Sequence, residues 1–162
     1  MKTVLGILGT LLIIGAAWFG MYRGWRNRQA RQAELAPLPA VPEGKVSGVE
    51  GVYVATTTAG DWMDRIAVHE LGVRSNADLA VGAAGLIFHR QGAADVFIPV
   101  GHLTGVRTDR GIAGKVTAEA SGLVVVTWTH DGHELDTGFR PRRKADTAPL
   151  TESISTLIGA EQ

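Results

Sequence analysis

His130-Asp131-Gly132-His133 brings two imidazoles and a carboxylate together, residue types that can hold a metal ion. A zinc site needs three or four such ligands in tetrahedral reach, and no third ligand of suitable kind stands nearby in the sequence. Asp-Gly is instead the favoured pair of a two-residue type I′ turn, so these four residues read as a hairpin tip. A second run, Asp109-Arg110-Gly111-Ile112-Ala113-Gly114-Lys115, has the composition of a phosphate loop. It lacks the four-residue gap between glycines, the Ser or Thr after the lysine, and a following helix. No metal, cofactor or nucleotide site is assigned on either segment.

Cations offer the other chemistry. Arg107, Arg110 and Lys115 gather around one loop, where exposed heads could hold an anion or a carboxylate-bearing partner. The plainer expectation is a solvated surface with Arg107 paired to Asp109. Arg140, Arg142, Arg143 and Lys144 form a denser run further on. Trp62 and Met63 stand in the first loop beside Asp61 and Asp64; they either contact a partner or fold under the domain. Arg107, Arg110, Lys115, Trp62, Arg140, Arg142 and Arg143 are therefore the candidate partner- or anion-binding residues. No nucleophile elbow, metal-ligand set or glycine-rich cofactor fingerprint is present, so no catalytic residue is assigned.

These residues need elements to position them. Val52, Val54 and Thr56 alternate with Tyr53, Ala55 and Thr57, the period of a strand. After a turn at Ala59-Gly60-Asp61, a second strand is expected at 66–68. Others follow near 79–81, 86–88, 96–98 (ended by Pro99) and 103–107. Such spacing with Gly-rich turns predicts a β-sandwich or barrel of seven to eight antiparallel strands. The 131–132 turn pairs His130 with His133, Trp128 with Leu135, Val126 with Thr137 and Val124 with Phe139. That register sends the apolar side chains to one face and Glu134 and Asp136 to the other. Thr147 and Pro149 suit a helix start. Leu150, Ile154, Leu157 and Ile158 then form an apolar stripe that could close one end of the β-structure.

Ahead of this lies Val4 to Tyr22, uncharged throughout. As a helix it spans roughly 28 Å, about one hydrocarbon core. Its nine Leu, Ile, Val and Phe residues favour insertion by about 3 to 5 kcal/mol in sum. Only Lys2 precedes it, whereas Arg23, Arg26, Arg28 and Arg31 follow, so the positive-inside rule places the C-terminal part in the cytoplasm and the N-terminus outside. The length of the run and the arginines after it favour an anchor over a cleaved signal peptide. Ala16, Gly20 and Gly24 repeat at a spacing that suits a weak homodimer through the helix.

The expected organisation is an anchor with a basic collar (1–28), a Pro-rich spacer (29–47) and a β-domain (48–162). Residues 1–32 hold five Lys/Arg and no acid, while 33–162 hold eleven Lys/Arg and sixteen Asp/Glu. The collar suits anionic lipid headgroups; the acidic remainder disfavours nucleic acid. The absence of cysteine removes disulfides and thiolate chemistry.

VRTDRGIAGKV (106–116), GLVVVTW (122–128) and LDTGFR (135–140), behind a single N-terminal span, resemble a family of small actinobacterial membrane proteins. These carry a bacterial PH-like domain and are often labelled probable transporters or export proteins. The resemblance covers nearly the whole chain and implies a PH-like fold: a β-sandwich or barrel closed by a C-terminal helix. The tendency of such proteins to be encoded beside pyrimidine-biosynthesis enzymes implies a cytoplasmic partner. PH domains that read phosphoinositides place basic residues in the first hairpin loop, where this chain has Asp61 and Asp64, so that ligand is not expected.

The combined expectation is a membrane-anchored cytoplasmic module that binds or scaffolds a protein partner, without cofactor or catalysis. Two other readings stay open. One is an accessory subunit of a transport or export complex, since one span has no lumen of its own. The other is an enzyme whose groups meet only in space.

Overall fold

The computed structural model describes residues 9, 11–24, 35–44, 47–109 and 122–160. The chain forms two units, Met1–Glu34 and Leu35–Gln162. In the first, helix α1 covers residues 11–24, all of them exposed. No helix among the described residues is long and apolar enough to cross a membrane. Residues 4–8 and 10 of the expected span, and Arg26, Arg28 and Arg31 of its collar, lie outside the described residues.

The second unit is built on β1 (Val49–Thr58), which pairs on both sides. The other strands among the described residues are β2 (Asp61–Arg65), β3 (Ser75–Gly82), β4 (Gly85–Arg90), β5 (Val96–Pro99), β6 (Leu103–Asp109), β7 (Leu123–His130) and β8 (His133–Pro141). Seven of the eight run in the order β5–β4–β3–β1–β8–β7–β6, and β2 attaches to the end of β1. All pairings are antiparallel. Helix α2 (Thr147–Gly159) buries Leu150 and Ile154 against the core, with Leu157 and Ile158 packed beside them. Eight strands and a closing helix among the described residues agree with the PH-like fold that the resemblance implies.

The β7–β8 hairpin has the expected register throughout, from Val124 opposite Phe139 to His130 opposite His133. Its turn holds Asp131 at φ 51° and Gly132 at φ 75°, the two positive angles of a type I′ turn. Gly51 has a different reason: a Cβ there would lie 2.3 Å from the Arg140 carbonyl oxygen, so only glycine lets β1 and β8 meet.

Alternation along each strand sets the layers. Leu86 and Phe88 of β4, with Val96 and Ile98 of β5, face the main core around Tyr53, Trp128 and Phe139. Ile87 and Phe97, with Ala80 of β3, form a smaller cluster on the opposite face of this layer. Tyr53 meets Phe88 edge-on at 5.5 Å between ring centres, and Phe88 lies 5.9 Å from Phe139.

One expectation is corrected here. The second strand lies at Asp61–Arg65, straight after the turn, and not at 66–68. Residues 66–74 instead form an irregular loop around a 3-10 turn at Val68–Glu70, where His69 and Glu70 have φ of 54° and 56°. Left-handed backbone cannot continue a strand, although Ile66 and Val68 have strand-like types. Ile66 and Leu71 are buried, so their apolar character serves the core from a loop.

The stretch expected as a spacer also has a defined place. Leu35 is buried in the main core, Leu38 packs against that core, and Val41 packs on the Ile87–Phe97 cluster. Residues 35–42 therefore pass from one face of the β3–β4–β5 layer to the other, forming a strap round its rim.

Candidate binding surfaces

Arg107 does not present a free charge. Its Nη2 donates to Asp136 Oδ2 at 2.7 Å and its Nη1 to Asp136 Oδ1 at 3.2 Å, a bidentate pair. Asp109, the expected partner, is 4.0 Å from Nε. Asp136 comes from the non-core side of β8, directly opposite Thr127 in β7. Its Oδ1 also accepts from Thr127 Oγ1 at 2.7 Å and its Oδ2 from the Gly60 N–H at 3.2 Å. Burial alone would raise its pKa. The hydrogen bonds from Arg107, Thr127 and Gly60, with the arginine charge, outweigh burial and hold the carboxyl below its usual range. The same hydrogen bond raises the pKa of Arg107. Arg110 and Lys115 lie outside the described residues.

The second cationic run is divided among neighbours. Arg142 Nη1 meets Glu50 Oε1 of β1 at 2.8 Å, and Arg143 Nε meets Asp146 Oδ2 at 3.0 Å. Both arginines are exposed, so these pairs contribute little to stability. Arg140, half-buried in β8 opposite Val52, makes no ion pair among the described residues.

Trp62 and Met63 are not folded under the domain. Consecutive strand residues point to opposite faces, yet these are 47% and 67% exposed. β2 is thus a ribbon buried on neither face. Asp64 accepts from Thr58 Oγ1 at 2.8 Å, and the Met63 N–H donates to Asp61 Oδ1 at 3.0 Å. The two acids expected to disfavour phosphoinositide brace this ribbon.

Behind it lies a buried polar chain that residue types and spacing did not reveal. Trp128 Nε1 donates to Thr137 Oγ1 at 2.9 Å, and Tyr53 OH donates to the Leu71 carbonyl at 3.1 Å. Thr137 and Thr56 hydroxyls, 2.7 Å apart, and Thr56 and Tyr53, 2.6 Å apart, complete it. An indole only donates and a carbonyl only accepts, so every proton points from Trp128 towards Leu71. Burial pushes the Tyr53 hydroxyl up to about 12. Arg90 lies 4.3 Å over the Tyr53 ring and donates through Nη2 to the Glu70 and Val73 carbonyls at 2.8 and 2.9 Å. A buried guanidinium bonded to two loop carbonyls fixes the 66–74 loop.

The strap meets this loop and the hairpin tip. The Ala36 N–H donates to Asp131 Oδ2 at 3.2 Å; His130 Nε2 lies 2.9 Å from the Ala36 oxygen and His69 Nε2 lies 3.0 Å from the Leu35 oxygen. Both carbonyls can only accept, so both imidazoles donate through Nε2. His130, read as part of a turn, therefore holds the strap with its ring turned inward, whereas His133 across the hairpin is exposed.

Elsewhere, a groove of about 350 Å³ opens between α2, the start of β1 and the end of β3, lined by Val49, Leu79, Val81, Pro149 and Leu150 with Asp146. None of the residues expected to bind a partner lines it.

An antiparallel β-sandwich with β1 in the middle of its strand order, closed by a C-terminal helix, is the architecture of a PH-like domain, generally a non-catalytic binding module. The profile of the Bacterial PH domain-like family matches residues 32–155, and the chain belongs to that family. The match takes in the strap as well as the strands. A comparison with curated proteins gave no match.

Proposed function

We propose that the chain is a membrane-anchored module that holds its PH-like domain at the cytoplasmic face and recruits a protein partner there. The observation that carries this reading is β2: Trp62 and Met63 stand exposed on opposite faces of a ribbon braced by its own acids. Burial in this domain's core does not account for a tryptophan and a methionine there, and aromatic anchors dominate protein interfaces. The uncharged run at 4–22 and the arginines after it support the anchor and its orientation. The acidic domain favours a protein over nucleic acid.

Affinity capture from native membranes with the full chain tests the reading. A recovered protein partner should fall at least tenfold with Trp62→Ala/Met63→Ala and persist when Arg26, Arg28 and Arg31 are changed to Gln. Both substituted side chains are exposed, so the fold is retained. Capture that survives at β2 but is lost when Ala16, Gly20 and Gly24 are enlarged to Leu replaces this reading with that of an accessory subunit held inside the membrane.

A further inference from the structure

We infer that the cleft occupied by residues 35–42 is a peptide-docking groove, and that the strap is its tethered resident. The partner that fits it is an extended, proline-containing segment with apolar residues at the spacing of Leu35, Leu38 and Val41. This deepens the proposed function by naming a partner's chemistry, and rests on that reading only for there being a partner.

The groove reads backbone. His69 and His130 donate to successive carbonyls, and Asp131 accepts the N–H between them, so three side chains of the domain address main-chain atoms. Any extended segment offers the same atoms. Side-chain selection comes from the core seat of Leu35 and the shallower seats of Leu38 and Val41. The strap itself joins no strand pairing, and Pro37, Ala40 and Pro42 are exposed. It is thus held at a few points and not woven into the sheet. Proline lowers the ordering cost for this resident and for a competitor alike.

Backbone strain lies at the same place. His69 and Glu70 are successive non-glycine residues in the left-handed region, held there by Arg90 on the Glu70 carbonyl. Strain of this kind persists where the surroundings enforce it, and it gathers at ligand clamps. Here it presents the His69 ring to the strap. Because Leu35 completes the core, an empty groove leaves a hole; replacement by another apolar segment does not. Exchange, not simple opening, is the expected event.

The test uses the full chain in detergent micelles and a fluorescent peptide of residues 33–42. Leu35→Ser/Leu38→Ser weakens the resident and leaves the groove walls intact. The peptide should bind this variant at least tenfold more tightly than the wild type, and adding His130→Ala and Asp131→Ala should abolish the gain. Equal binding to variant and wild type overturns the proposal, whatever membrane capture shows. If the variant does not fold, amide exchange in the wild type decides. The Ala36 amide should exchange at least a hundredfold faster than those of β7 and β8. Exchange at the rate of those strands means the strap leaves only on unfolding, and the proposal fails.

Discussion

At the scale of single residues, the partnership of Arg107 with Asp136 governs what this surface can do. A cation whose two Nη atoms both engage a buried carboxylate is not available as an anion trap without first breaking that pair. The folded pKa of Asp136 lies below its unfolded value, so at intermediate pH the unfolded chain binds more protons and stability rises with pH. Its contribution is complete above about pH 4, the unfolded value, and is lost as pH falls through the folded one. Asp136→Asn should cost about 1–2 kcal/mol at pH 7, discounted for the half-exposed arginine, with the gap narrowing towards pH 3. Urea denaturation of both chains at the two pH values checks this; a gap independent of pH would assign Asp136 a packing role alone. The arginine was legible as a cation in the sequence, but its partner was not. Period-two alternation put Asp136 on the outer face, and only the β6–β7–β8 register shows Arg107 reaching it across β7.

Elements differ in how far they could be read for a similar reason. The β7–β8 hairpin was legible residue by residue because turn chemistry and apolar alternation agreed. The helix was legible from its stripe. The 66–74 loop was not, because Ile66 and Leu71 serve the core without strand geometry and Arg90 holds the loop from another strand. The strap was hidden by its prolines, which forbid a helix and suit an extended spacer but do not reveal what an extended segment rests on. One consequence is measurable at this scale. A fragment beginning at residue 48 loses Leu35 from the core and leaves a cavity, which costs about 2–4 kcal/mol. It should melt well below a fragment beginning at residue 33, and equal melting temperatures would deny the strap any structural part.

For the whole molecule, the proposed anchor poses the question of which side of a membrane the domain would occupy. The arginines after the uncharged run predict the cytoplasmic side. In inside-out vesicles an added protease should therefore digest the C-terminal domain, while in right-side-out vesicles it should be protected. The opposite pattern would reverse the orientation, and full recovery in the soluble fraction would remove the anchor. The β2 ribbon adds a condition: Trp62 and Met63 belong to an acidic unit, which an anionic headgroup layer repels, so they suit a protein surface better than a bilayer.

The strap has a further consequence, for how the groove responds to a partner's abundance. A resident on the same chain acts at an effective concentration on the order of millimolar. A competitor's apparent affinity is reduced by the fraction of time the groove stands empty. A dilute segment is then ignored, and one crowded close to the domain can prevail. The tie at Leu35 and Ala36 turns a backbone-reading and otherwise permissive groove into a gauge of local density.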